Sequence, residues 1–133
     1  MAGSSRVRGG GGADDDPHVY PVRLTEPAEA EIEAEHARLS ELVSPQYADR
    51  WRTALVIEVR RLALFPARHE IAPENDVYDV EVRRMLYHGP AGRRRRGGVA
   101  YRVLFYIVEP NEDEPQGVVR VLHVWHGGRR PIV

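Results

Sequence analysis

Near residue 77 the spacing of apolar residues in this chain changes from helical to alternating, and it does not change back. Before that point Tyr47, Trp51, Leu55, Val59 and Leu62 recur every three or four positions, the stripe that an amphipathic helix buries. After it, Val80, Val82 and Leu86 alternate with Asp79, Glu81 and Arg83, the pattern of a strand with one face in a core. Helices followed by a run of strands cannot build a doubly wound parallel sheet, which needs the two to alternate. The order predicts an α+β fold, with helices packed on one face of a sheet.

The boundaries follow from local chemistry. Residues 19–25, VYPVRLT, form a short strand that Pro21 confines to a sheet edge. Thr25 caps a first helix that runs to about Val43, and Ser44 caps a second, with Pro45 in its first turn, over roughly 45–64. The short break between them predicts an antiparallel helical hairpin. Pro66 stops the second helix, and 66–76 is loop. Strands then follow over 77–88, 99–109 and 118–126, joined by the turns 89–98 and 110–117 into an antiparallel meander. The expected domain is therefore an edge strand and a helical hairpin on a small antiparallel sheet of about four strands. The sheet's second face is left for solvent or a partner.

Residues 1–18, with four consecutive glycines and three consecutive aspartates, carry too little apolar surface to order themselves and read as a flexible tail. Residues 19–133 form one domain, long enough for a core without staples. No apolar run approaches the roughly 20 residues of a membrane span. The chain has no cysteine, which excludes disulfides, thiolate zinc sites and thiol catalysis and fits a reducing cytoplasm. All 19 basic residues are arginine, a usage that GC-rich coding explains. Every cation is in consequence a permanently charged planar fork suited to carboxylate or phosphate. Residues 1–82 are net −7 and residues 83–133 net +6. Such asymmetry points either to an acidic or phosphate-bearing partner for the second part or to the two parts neutralising each other in the fold.

The residues with chemistry lie in the second part. Along 101–107, Tyr101, Val103, Phe105 and Ile107 share one face and form the better core set. Arg102, Leu104 and Tyr106 then point away from the helices, and Arg102 on an open face should matter for function more than for folding. In the last strand Val121, His123 and Trp125 alternate with Leu122, Val124 and His126, and both sets are apolar enough to be core. His123 and His126 have the spacing of a metal pair but face opposite ways on a strand, so no metal site is expected. His126 ends the strand beside Gly127 and Gly128, with Arg129 and Arg130 following. An imidazole that moves a proton and guanidiniums that hold a phosphate suffice for metal-free cleavage of RNA through its 2′-hydroxyl, and equally make a plain anion-binding patch. The Arg93–Arg96 turn is either a solvated loop or a finger that tracks phosphates.

Three stretches together carry a resemblance: Arg83-Arg84 on the second strand, Tyr101-Arg102 opening the third, and His126-Gly127-Gly128-Arg129 ending the last. This string resembles the carboxy-terminal half of the RelE/ParE superfamily of bacterial type II toxins, which includes proteins described as plasmid-stabilisation proteins. The resemblance implies a cytoplasmic toxin held silent in a hetero-oligomer by a cognate antitoxin, with no cofactor. RelE-like members cut ribosome-bound mRNA without metal. Carried over, Arg102 and Arg129 would grip the phosphate, His126 would move the proton, and Arg84, Arg130 and Tyr106 would contact the RNA. ParE-like members instead poison DNA gyrase and have no nuclease site, and an inactive relative is the third possibility. The chain departs from the RelE-like pattern in lacking lysines on the second strand and a tyrosine after the terminal arginines.

Overall fold

A computed structural model describes residues 17–91 and 100–127. Strand β1 spans Val22–Leu24, helix α1 Glu26–Leu42 and helix α2 Pro45–Arg60, and a 3-10 turn, Arg61–Ala63, completes the hairpin. Strands β2 (Arg83–Tyr87), β3 (Tyr101–Val108) and β4 (Val118–His126) follow. Both helices begin where their caps place them. Thr25 Oγ1 accepts from the Ala28 amide at 3.3 Å and Ser44 Oγ from the Tyr47 amide at 3.0 Å, each satisfying a donor that the first helical turn leaves free.

The α+β architecture is the expected one, with one pairing changed. The sheet order is β1-β4-β3-β2, and β1 runs parallel to β4 while the other pairs are antiparallel. The sheet is mixed because the hairpin carries the chain across it to the far edge. The meander then walks back until β4 lies beside β1. The helix-side core holds Trp51, Leu55 and Leu62 from α2 and its turn, Ile32 from α1, and Val103, Phe105, Val119 and Val121 from the sheet. Tyr101 and Tyr87 close one end of it, with Trp51 and Tyr101 ring centroids 5.2 Å apart and the Tyr87 hydroxyl donating to the Trp51 carbonyl.

The stretch 77–82 is not strand, although its valines alternate. Pro73–Val77 is a 3-10 turn, the Asn75 side chain accepts from the Val82 amide at 2.7 Å, and Val77 and Val80 are exposed. Local side-chain bonding of this kind competes with a ladder. Residues 69–82 instead fold back across the sheet face opposite the helices. Ala72, Val82, Leu104 and Trp125 form a second small core there, with Tyr78 and Leu122 packed against it. The face expected to be open is therefore covered, because leaving Leu104 and Trp125 in water would forfeit roughly 1.5–3 kcal/mol of burial each. Glycine is required at Gly117 in the β3–β4 turn, where φ is +70° and a Cβ would lie 2.5 Å from the Val108 carbonyl oxygen.

Candidate functional site

The segment 69–82 contains Glu70, Glu74, Asp76, Asp79 and Glu81 and no basic residue except His69. Three of its carboxylates take up the arginines at the start of β2 and β3. Glu70 pairs with Arg84 at 2.8 Å, Glu81 with Arg83 at 2.9 Å, and Glu74 with Arg102. The last pair is enclosed: the side chains of Arg102 and Glu74 are 13% and 5% exposed. Arg102 also lies 5.6 Å from the centre of the Trp125 ring, within cation–π range. Arg102 does face away from the helices, as strand parity predicts, but an acidic strap covers it there. Arg84 and Tyr106 share that face by register. Arg84 is a diagonal neighbour of Arg102, whereas Tyr106 lies four residues further along β3, about 13 Å away at the usual rise of a strand.

His126 comes out on the other side. A β-bulge opposite Leu104 adds one residue to β4, so that Leu104 pairs with His123 and Phe105 with Val121, skipping Leu122. The bulge puts Val121 and Val124 in the helix-side core and Leu122 and Trp125 in the second core, a division that alternation alone does not give. His126 is then the register partner of Tyr101, with their rings perpendicular at 5.2 Å. The Tyr101 hydroxyl donates to Glu35, which Arg38 grips through Nε at 2.8 Å and Nη2 at 2.5 Å. Burial pushes the Glu35 pKa up, but the bonds from Arg38 and Tyr101, with the nearby His126, hold it below the usual carboxylate range. Burial and the bond to Glu35 push the Tyr101 phenol up.

The bulge has its own anchor, Glu31 on α1. Strand β1 ends at Leu24, and Thr25 bonds the Val121 and Leu122 carbonyls at 3.0 Å from its hydroxyl. Beyond that point the Glu31 carboxylate accepts from the Val124 amide at 3.0 Å and the Trp125 Nε1 at 2.9 Å, and it meets His123 Nδ1 at 3.0 Å. Glu31 therefore closes the edge of β4 where β1 no longer covers it. His123 and Trp125 stack beside it, centroids 4.5 Å apart. Glu31, Glu35, Arg38 and Glu74 were not singled out by sequence reading, and one carboxylate among many on a helix gives no local sign of such a role.

The structure thus brings Arg84 and Arg102 together under one acidic strap and sets His126 across the sheet from them, against α1. Arg129, Arg130 and the Arg93–Arg96 turn lie outside the described residues, as do residues 1–16 of the expected tail 1–18. Among the described residues no helix is long and apolar enough to cross a membrane, and no three His, Asp or Glu side chains gather as metal ligands would.

Comparison with known proteins agrees with this architecture. Among solved structures, a chain described as the chromosomal ParDE TA system from P. aeruginosa superposes with a TM-score of 0.54 at 16% identity, over 82% of this chain and 97% of that one, a likeness of fold. No curated protein matches the chain. The family model described as the ParE toxin of the type II toxin-antitoxin system, parDE, matches residues 22–131, which hold both helices and all four strands. With a match of that extent, the chain belongs to the ParE toxin family of type II toxin-antitoxin systems.

Proposed function

We propose that the chain is the growth-inhibiting toxin of a toxin-antitoxin pair and acts without catalysis, by binding its target. The target class that the ParE family suggests is DNA gyrase, which would place the protein in the cytoplasm, with the toxin body formed by residues 19–133. The observation that carries the non-catalytic reading is the separation of His126 from Arg102 by the sheet, with Arg102 held by Glu74. A proton-moving group must lie within hydrogen-bond reach of the atoms it serves, directly or through one water. A phosphate grip must also be free to meet an anion, and the strap carboxylates occupy Arg83, Arg84 and Arg102 already. A cognate antitoxin is the expected partner of a family member and would silence the chain in a hetero-oligomer.

Expression of the chain alone should arrest growth and induce the DNA-damage response with mRNA intact, and the purified chain should block supercoiling by gyrase. His126→Ala should leave the arrest unchanged. Ribosome-dependent mRNA cleavage is the reading this would displace, since an interferase losing its general acid or base falls by about 10²–10⁴-fold. Fragmented mRNA with unimpaired gyrase, or loss of arrest in His126→Ala, would refute the proposal.

A further inference from the structure

Strand β2 is bonded to β3 on one side and, among the described residues, has no backbone partner on the other beyond Arg84. The outer side is paired at one place, where Ile71 bridges Arg83 and the Arg84 amide donates to the Glu70 carbonyl at 3.0 Å. By the alternation of an antiparallel ladder, the next residue with main-chain groups facing outward is Leu86, which is 38% exposed. Two hollows lie along this edge between β2 and α2. One, of about 420 Å³, is lined by Arg61, Arg68, Glu70, Arg84 and Leu86 among others. The next, of about 350 Å³, runs from Ala54 and Glu58 to Pro90. They share Glu58 and Leu86 and so form one groove.

Arg61 reaches Glu58 at 3.3 Å and is 70% exposed. Arg68 is exposed and forms no ion pair within the described residues. With Arg84, the first hollow holds three guanidiniums against two carboxylates. Burial, then Arg68 and Arg83, push the pKa of His69 beside them below the usual imidazole range, as crowding of cations does. The chain itself shows what this edge accepts. Its own Glu70-Ile71 segment already lies along β2 in extended form, main chain on main chain and carboxylate on Arg84.

We infer that the outer edge of β2 and the flank of α2 form a docking groove for an extended acidic segment of a partner protein, which continues the strand addition that Ile71 begins. The segment would bond Leu86 through its main chain, rest apolar side chains on Met85 and Ala54, and give carboxylates to Arg61 and Arg68. The outward main-chain groups of Leu86 and the apolar floor of Met85 and Ala54 favour a peptide over a nucleic acid strand, whose backbone cannot continue a β-ladder. Reading the partner as the antitoxin rests on the toxin function proposed above, but the groove's chemistry does not.

The test uses the full chain and a short fluorescein-labelled peptide of alternating glutamate and valine, followed by fluorescence anisotropy. Binding should saturate and weaken about tenfold in Arg61→Glu with Arg68→Glu, with a matching loss when the peptide's glutamates become glutamine. N-methylation of every second peptide amide should abolish binding in one phase and spare it in the other, as strand addition demands. No saturable binding, binding indifferent to charge reversal, or tighter binding of a single-stranded oligonucleotide would each overturn the inference. Growth arrest by the chain alone is scored separately, so a non-toxic chain that still binds the peptide refutes the function and keeps the groove.

Discussion

Replacing Arg102 with alanine should cost folding first. In wild type its guanidinium meets Glu74 with 13% of one side chain and 5% of the other exposed, and the second carboxylate oxygen, Glu74 Oε1, has no hydrogen-bond partner among the described residues. Removing Arg102 therefore leaves a carboxylate with 5% of its side chain exposed and little to solvate it. Breaking an enclosed pair from one side costs about 3–5 kcal/mol, against about 0–1 kcal/mol for a surface pair. Loss of the contact with Trp125 adds about 0.5–1 kcal/mol. At roughly 4 °C per kcal/mol for a domain of this size, the melting temperature should fall by about 14–24 °C. Circular dichroism gives the melt, and tryptophan emission reports on Trp125 beside the pair. Arg102→Met combined with Glu74→Leu should recover most of the loss, because an apolar pair of similar volume leaves no charge behind. A fall under about 3 °C for Arg102→Ala, within the range of a solvated ion pair, would show that the strap does not enclose Arg102.

Two other perturbations read the far side of the sheet. Glu31→Ala removes one acceptor from three donors on the end of β4 and should destabilise the chain by about 2–3 kcal/mol in urea unfolding, with faster hydrogen exchange at the Val124 amide; Val124 exchange as slow as in wild type would exclude the anchoring role. Glu35 has a folded pKa below its unfolded value near 4.5, so its contribution is complete above that pH and is lost as the pH falls through the folded value. Glu35→Gln should accordingly flatten the acid limb of the stability profile while leaving its shape above about pH 5 unchanged, and an unaltered acid limb would refute the assignment.

Much of the fold was legible because its signals are local. Thr25 and Ser44 start helices through bonds to amides three residues on, and the stripe from Trp51 to Leu62 needs only helical geometry to find its face. The parity of β3 was likewise legible from Tyr101 to Ile107, and with it the side on which Arg102 lies. The candidate site was legible residue by residue but not as an arrangement. A bulge shows in no single residue type, and one extra residue in β4 turned His126 toward Tyr101 and α1. Alternating valines over 77–82 read as strand, yet Asn75 and the carboxylates between them made a strap.

The sequence alone determined that the chain is acidic first and basic second, that helices come before strands, and which residues could carry charge or protons. Tertiary structure decided how those charges are used. Glu70, Glu74 and Glu81 neutralise Arg84, Arg102 and Arg83, so part of an asymmetry that could have served an outside partner is satisfied within the fold. The physical reason is that Leu104 and Trp125 need cover, and the segment that covers them brings its carboxylates to the arginines beside them. Two arginines outside that cover, Arg61 and Arg68, stand along the outer edge of β2, a position set by the packing of α2 and the strap against the sheet and written in no local pattern.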